Sequence, residues 1–151
     1  IVSLVGSEMC IRDRYIPEMC GMFQYEVAER ICEHEGSKKY GIISVITQAY
    51  YKTSLLFEVS NNLFTPPPKV NSAVISLKRK KNINLNCDEK LFLKIVKLSF
   101  QQRRKTIRNS LKQINLSDNL REDIIFDKRP EQLSVNEFID LTNLVSHDLN
   151  N

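Results

Sequence analysis

Glycine is scarce in this sequence. Its 151 residues include only four glycines, and no two of them lie within four positions of each other. A loop that cradles the phosphates of a nucleotide needs glycines at close spacing, because backbone N–H groups must approach the ligand. The sequence therefore contains no glycine-rich nucleotide loop.

Cysteine and histidine are also few. The four cysteines form no Cys-x-x-Cys pair, which argues against a zinc site. Neither of the two histidines, His34 and His147, lies near a candidate nucleophile in the sequence, and we expect both on the solvated surface. The sequence therefore predicts no metal.

Long apolar runs are missing, whereas positive charge is in excess. No run approaches the ~18–20 residues that a membrane-spanning helix needs, so we expect no membrane partner. Without a secretory signal, the cysteines are expected as reduced thiols in a cytoplasmic protein. The 22 Lys+Arg outnumber the 18 Asp+Glu, which gives a net charge of +4. A hydrophobic content of 42% is a globular value and excludes a wholly disordered chain.

Residues 1–14 differ from the rest of the chain. The run from Ser3 to Asp13 is similar to the translation of a transposon-end adapter used to prepare sequencing libraries. We interpret residues 1–14 as a non-native, adapter-derived segment and expect the remainder to be a C-terminal fragment of a longer protein. The alternative interpretation is a natural amphipathic lead-in.

An α/β pattern extends to about residue 81. Met19–Phe23 is a short apolar run typical of a strand buried on both faces, and helix formers follow over Glu26–Ile31. Ile42–Tyr51 is compatible with helix or strand, and the spacing of its apolar residues favours a helix. Two further strands are predicted, at Leu55–Val59 and Ala73–Leu77. If a parallel sheet has lost its earlier strands, Met19–Phe23 forms an unpaired edge that promotes aggregation.

Residues 86–148 have the pattern of a small helical domain. Asp88 is placed to cap a helix. Ser117 is placed to cap a short helix that runs through Ile125, and Ser134 begins a capping-box pattern ahead of a final helix.

A strongly basic segment runs from Lys97 to Lys112 without an acidic residue. On a continuous helix, Arg104, Arg108 and Lys112 stack at i,i+4 spacing in a solvent-facing stripe. Like charges at that spacing repel unless a polyanion lies beside them, so we interpret the segment as a nucleic-acid surface. A solvated basic helix is the alternative. The candidate RNA-binding residues are Arg103, Arg104, Lys105, Arg108, Asn109 and Lys112.

Phe64 precedes a stretch with three consecutive prolines. Because proline fixes φ, the loop is stiff, and an aromatic ring on it forms a platform on which a flipped-out base can stack. The residues are equally compatible with a simpler role, in which Phe64 anchors the loop in the core.

Four motifs lie along the chain. They are Gln24–Ile31, Gly36–Val45, Phe64–Val74 and Phe100–Asn109. In order and spacing they resemble the KsgA/RsmA family of ribosomal-RNA adenine dimethyltransferases, from about Tyr15 to Val145. The resemblance implies an α/β plus all-α fold. In it, residues 15–81 are the C-terminal part of a Rossmann-like, S-adenosylmethionine-dependent methyltransferase domain, and residues 86–148 are a helical RNA-binding domain.

The resemblance also implies an activity with its partners and site residues. The family dimethylates two adjacent adenosines near the end of small-subunit ribosomal RNA, with S-adenosylmethionine as the methyl donor. Phe64 matches the position whose ring packs against the target adenine, which makes it the candidate catalytic residue. The loop that shapes this pocket corresponds to Pro66, Pro67, Pro68 and Val70. The basic helix that holds the RNA and the small ribosomal subunit corresponds to Arg103, Arg104, Lys105 and Arg108.

The sequence departs from the family where the methyl donor binds. The family's glycine-rich loop, its acidic ribose-binding residue and its Asn-Leu-Pro-Tyr motif all lie upstream, and Tyr15-Ile16-Pro17-Glu18 does not match that motif. We therefore expect no cofactor-binding residue in this chain and no methyl transfer by it alone. The alternative function is a non-catalytic nucleic-acid-binding module that acts in transcription or ribosome assembly.

Overall fold

The computed structural model describes residues 16–81 and 84–150. The segment 1–14, which we interpret as adapter-derived, lies outside the described residues. The strands and α-helices are β1 (Glu18–Gln24), α1 (Tyr25–Cys32), α2 (Ile42–Tyr50), β2 (Tyr51–Val59), β3 (Ser72–Arg79), α3 (Glu89–Gln101), α4 (Ile107–Ser110), α5 (Asp118–Arg121) and α6 (Val135–Leu149). Short 3-10 helices span Asn61–Leu63, Ile124–Asp127 and Pro130–Gln132. Across the described ranges, no helix combines the length and the apolar character that crossing a membrane requires.

The three strands form one sheet in the order β1-β3-β2, with β3 antiparallel to both neighbours. The strands β1 and β2 therefore run in the same direction, and α1 and α2 form the connection between them. In β1 exposure alternates along the strand, with Met19 and Phe23 packed against the core. The prediction that Met19–Phe23 is buried on both faces is thus wrong, because α1 packs against one face of the sheet, whereas Cys20 and Met22 face outward and are exposed.

The outward face of the sheet divides into an apolar part and a charged part. Met22, Val74 and Phe57 share one register row, and Met22 and Phe57 are 52% and 56% exposed. At the other end, Glu18, Lys78 and Lys52 share a row. A β-bulge between Leu55 and Phe57 shifts the register of β2 and brings Phe57 onto this face.

The segment Ile42–Tyr50 is a helix, α2, as its spacing predicts, and it is almost entirely buried. Its side chains close the end of α1: Gln48 Nε2 donates hydrogen bonds to the carbonyl oxygens of Ile31 and Glu33 at 3.0 and 2.7 Å. Because a helix leaves its last carbonyls unpaired, these bonds satisfy groups that would otherwise be buried without partners.

The predicted caps in the helical part are confirmed where they depend on local sequence. The Asp88 side chain accepts from the N–H groups of Lys90 and Leu91, and Ser134 forms a capping box at α6. Ser117 caps α5, but α5 ends at Arg121, because a separate 3-10 helix starts after it with its own cap. The expected helix through Ile125 is therefore too long.

Aromatic side chains join the α/β part to the helical part. The ring of Tyr40, fully buried in front of α2, lies 6.1 Å from that of Phe100 on α3, and Phe100 lies 5.9 Å from Phe138 on α6. Both parts thus contribute to a single hydrophobic core. Division into domains at residues 81 and 86 stays a prediction from the sequence.

Candidate nucleic-acid interface

Phe64 sits on the loop that connects β2 to β3. A single turn of 3-10 helix, Asn61–Leu63, precedes it, and Ser60 begins this turn by accepting a hydrogen bond from the N–H of Asn62. The N–H of Phe64 donates to the carbonyl oxygen of Asn61 at 3.2 Å. The backbone that carries the ring is therefore held by local hydrogen bonds.

Two asparagines fasten this loop at both ends. Asn71 Oδ1 accepts from the N–H of Asn61 at 3.1 Å, and Asn61 Nδ2 donates to the carbonyl oxygen of Pro68 at 3.1 Å. Asn71 Nδ2 donates to Glu58 Oε1 at 2.7 Å, and its carbonyl oxygen accepts from the N–H of Tyr25 at 2.9 Å. The loop is thus tied to β2 and to the start of α1.

The ring of Phe64 is partly exposed and lies outside the hydrophobic core formed by the described residues. Its neighbour Leu63 is 76% exposed. The proline segment is exposed as well: Pro66, Pro67, Pro68 and Val70. The Thr65–Pro66 peptide bond is cis. Of the two roles that the sequence leaves open, this placement favours the platform and not the core anchor.

The basic segment is not one continuous helix. The helix α3 ends at Gln101, a turn follows, and α4 begins at Ile107 after Thr106 has taken an extended conformation. The N–H of Ile107 donates to the carbonyl oxygen of Lys128 at 2.9 Å, a partner from another part of the chain. The expected i,i+4 stripe is therefore wrong, because a tertiary hydrogen bond replaces the helical one at the break.

Some cations of this segment bind groups elsewhere in the chain, and others form no ion pair with the described residues. Arg103 Nη2 donates to the carbonyl oxygen of Ser37 at 3.2 Å, and Arg108 Nη2 lies 2.6 Å from Asp127 Oδ1. Asn109 Nδ2 donates to Thr106 Oγ1 at 3.1 Å. Three side chains are exposed and form no ion pair with any described residue: Arg104, Lys105 and Lys112.

Sequence reasoning missed the residues that position these groups. Asn61, Asn71 and Glu58 fasten the Phe64 loop, and Ser37 and Asp127 hold the two tied arginines. An asparagine on each side of a proline run was the one available signal, because asparagine commonly bonds to nearby backbone in turns. Nothing in the sequence links Asp127 to Arg108.

The glycines of the described residues do not form a loop that binds a nucleoside. Gly21 lies within β1, Gly36 lies in an open loop and Gly41 precedes α2, so none forms a strand–turn–helix cradle for a nucleoside. Over the same ranges, no group of three or more histidine, cysteine or acidic residues is placed to hold a metal ion.

A family model described as ribosomal RNA adenine dimethylase matches residues 9–147. The chain belongs to this family. The match covers the Phe64 loop, the basic segment and the helices that carry them, and it agrees with the resemblance found in the four sequence motifs.

Curated relatives in the dimethylase family are similar over most of this chain. "Ribosomal RNA small subunit methyltransferase A" of Flavobacterium johnsoniae is 66% identical over 133 residues, which cover 88% of this chain and 51% of that protein. The protein of the same name from Bacteroides thetaiotaomicron is 58% identical over 150 residues, or 99% of this chain and 56% of that protein. The chain thus spans about half the length of the curated relatives it matches.

Solved structures show the fold of this dimethylase-family chain. A dimethyladenosine transferase from Plasmodium falciparum matches with a TM-score of 0.82 at 21% identity, covering 96% of this chain and 62% of that one. The 23S rRNA methyltransferase ErmE matches with a TM-score of 0.60 at 18% identity, covering 94% and 61%. The predicted fold class, part of a Rossmann-like methyltransferase domain followed by helices, is confirmed.

Proposed function

We propose that this chain is the part of an adenine dimethyltransferase that positions the target base and binds small-subunit ribosomal RNA. The intact enzyme transfers methyl groups from S-adenosylmethionine to two adjacent adenosines in the cytoplasm, as part of ribosome biogenesis. The observation that carries the proposal is the placement of Phe64 on a fastened loop outside the core. Membership of the family and the names of the relatives support the same reaction and the same RNA.

In this proposal, Phe64 positions a base taken out of the RNA stack. Stacking on an aromatic ring contributes about 1–3 kcal/mol per base and requires a fixed ring plane. The hydrogen bonds of Asn61 and Asn71 hold the backbone on both sides of the ring. The exposed Pro66–Pro68 and Val70 form the wall beside the stacked adenine.

The chemical step needs groups that we do not expect in this chain. The exocyclic amine of adenine is a poor nucleophile, because its lone pair is delocalised into the ring. Hydrogen-bond acceptors on the amine hydrogens must direct that lone pair at the methyl group. The resemblance assigns these acceptors, and the site for the donor, to the upstream part of the family's proteins. We therefore expect the chain alone to bind RNA without methylating it.

In this proposal, exposed cations of the helical part bind the RNA backbone. Arg104, Lys105 and Lys112 are available to phosphates, since no described carboxylate neutralises them. The planar guanidinium of Arg104 suits bidentate phosphate contact. Asn109 is placed among them on α4, where its carboxamide can reach a sugar or base edge.

The base platform is tested with a ribosomal RNA hairpin that carries the two adjacent adenosines. Phe64→Ala is expected to raise the Kd by about five- to hundredfold, because the stacking surface is lost. Leu63→Ala is the matched control, since Leu63 lies next to Phe64 and is 76% exposed. A hairpin with both adenosines replaced by uridine tests whether the ring favours the purine. An equal effect of the two substitutions contradicts the platform.

RNA binding by the exposed cations is tested by filter binding with small-subunit ribosomal RNA. Arg104→Ala is expected to weaken binding and to make the log–log salt slope less steep by about 1. A loss with Arg104→Ala but none with Phe64→Ala favours the non-catalytic nucleic-acid-binding module. Labelled methyl transfer to unmethylated small subunits by the chain alone contradicts the expected inactivity.

A further inference from the structure

Three lysines lie close together at one end of the sheet, and two of them, Lys52 and Lys78, are on its outward face. Lys52 and Lys78 are cross-strand partners. The N–H of Lys80 donates to the carbonyl oxygen of Tyr50 at 2.9 Å, which continues the pairing one step beyond β3. Lys80 follows the last residue of β3 and therefore lies at the same end of the sheet as Lys78. We refer to Lys52, Lys78 and Lys80 as the lysine row.

The lysine row is not explained by the fold. Like charges placed directly opposite each other on neighbouring strands destabilise a sheet. Glu18 offsets part of this, since its Oε1 lies 3.4 Å from Lys78 Nζ. Lys52 and Lys80 form no ion pair with a residue of the described ranges. Partial burial lowers the pKa of the Lys80 ammonium, as expected where no counter-charge compensates the loss of water.

Arg79, which interrupts the row in sequence, has a different role. Its Nε donates to the carbonyl oxygen of Ile16 at 2.9 Å, and its guanidinium lies 4.5 Å from the centre of the Tyr51 ring. The contacts of Arg79 therefore stabilise the fold. The neighbouring lysines are exposed, and Lys81 adds a further positive charge to the same end of the sheet.

A cleft of about 340 Å³ opens beside Lys80. Its floor is apolar, with Ala49 and Leu85 buried. Its polar rim consists of Asn84, Asn86, Asn136, Asn143 and Asp140. We refer to this feature as the asparagine cleft. Carboxamides both donate and accept, and they bond to sugars and base edges in nucleic-acid complexes.

We propose that the lysine row and the asparagine cleft form a second RNA contact, in which the lysines bind backbone phosphates and the cleft receives an adjoining nucleotide. The inference rests on the proposed function, because it assumes that ribosomal RNA lies on this chain. The seven steps along β2 from Lys52 to Val59 span about 23 Å. The contact is therefore at the opposite end of the sheet from the Phe64 loop.

The chemistry of this end of the sheet fits RNA better than a protein cover. The apolar row of Met22, Val74 and Phe57 lies nearer the Phe64 end, and a packed protein segment suits that surface. Burying Lys52 and Lys80 under protein is costly without paired carboxylates. Phosphates beside them remain solvated and relieve the repulsion between Lys52 and Lys78.

The test compares RNA affinity of the double variant Lys52→Gln/Lys80→Gln with that of wild type, using naked small-subunit ribosomal RNA. We expect the Kd to rise about three- to tenfold at ~0.1 M salt and the salt slope to become less steep by about 2. Arg30→Gln/Lys94→Gln is the matched control, because it also removes two positive charges, from exposed side chains outside the lysine row and the asparagine cleft. It is expected to bind as wild type.

A second variant separates binding from folding. Lys52→Glu places a carboxylate opposite Lys78, so its thermal midpoint is expected to be at least that of wild type while RNA affinity falls. Wild-type affinity in the double variant, together with a loss in Arg104→Ala, overturns this inference and leaves the proposed function standing. A loss seen only with assembled small subunits overturns it also, because the lysines then contact a ribosomal protein. If wild type binds no ribosomal RNA, the proposed function itself fails.

Discussion

Asn71 Oδ1 accepts a hydrogen bond from the backbone N–H of Asn61 at 3.1 Å. The two residues stand at opposite ends of the loop that carries Phe64, so a single side chain closes that loop. Asn71 also reaches Glu58 on β2 and the first residue of α1. The position of the ring thus depends on the hydrogen bonds of a residue at the far end of the loop.

Removing the hydrogen bonds of the Asn71 side chain is expected to increase the mobility of the loop more than it lowers the stability of the whole fold. In Asn71→Ala, the N–H of Asn61 and the carboxylate of Glu58 lose a partner, and the free energy of unfolding should fall by about 1–2 kcal/mol. The amide of Asn61 should exchange with solvent faster than amides of β3, as measured by hydrogen exchange with NMR. RNA affinity should fall towards that of Phe64→Ala.

The conservative variant identifies which atom matters. Asn71→Asp keeps an oxygen that can accept from Asn61 but no longer donates to Glu58. We expect slow exchange at Asn61 to persist in Asn71→Asp, especially when Glu58→Gln removes the facing charge. Fast exchange in Asn71→Asp would show that the bond to Glu58, and not the one to Asn61, closes the loop.

Tyr40 is fully buried, and its hydroxyl has no hydrogen-bond partner among the described residues. Tyr40→Phe should therefore leave the free energy of unfolding unchanged or raise it by up to about 1 kcal/mol. Tyr40→Ala should lower it by about 3–5 kcal/mol, because the contacts with Phe100 and the core are lost. Urea denaturation measures both. A clear destabilisation in Tyr40→Phe would mean that the hydroxyl is satisfied by a group beyond the described ranges.

The same residue makes stability depend on alkaline pH. Burial, with smaller contributions from Glu35 and Glu137, raises the pKa of Tyr40 above its ordinary value of about 10. Above that pH the unfolded chain loses this proton while the folded chain keeps it, so stability falls as pH rises. Unfolding followed between about pH 9 and 11 should give a shallower decline in Tyr40→Phe than in wild type. Equal slopes contradict the assignment.

The features that the sequence predicts correctly are those that depend on neighbours in sequence. The caps at Asp88 and Ser134 need only a side chain and the next turn of helix. The buried helix α2 follows from its spacing of apolar residues. The break between α3 and α4 could not be predicted in this way, because it depends on Lys128 accepting the N–H of Ile107.

In the candidate site, too, the features that depend on distant residues could not be predicted from the sequence. Phe64 could be identified from its motif, but its location outside the core required the structure. The lack of acid between Lys97 and Lys112 predicts a solvent-facing basic stripe. In the structure Arg108 meets Asp127, which lies well beyond that segment in sequence.

Because Arg108 pairs with Asp127, we expect that removing the Asp127 carboxylate raises the affinity for RNA. The two side chains are 38% and 63% exposed, so the ion pair contributes no more than about 1 kcal/mol to stability. Asp127→Asn releases Arg108 towards phosphate. The Kd for small-subunit ribosomal RNA should fall about two- to fivefold, with a salt slope steeper by up to about 1.

Removal of any acid raises net charge and strengthens RNA binding in general, so the comparison must hold charge constant. Glu122→Gln changes the charge equally at a nearby exposed acid that forms no ion pair with the described residues. If released Arg108 is the cause, the gain in Asp127→Asn exceeds that in Glu122→Gln. It should also disappear in Asp127→Asn/Arg108→Ala. Equal gains in the two single variants would mean that Asp127 acts only through net charge and that Arg108 stays away from the RNA.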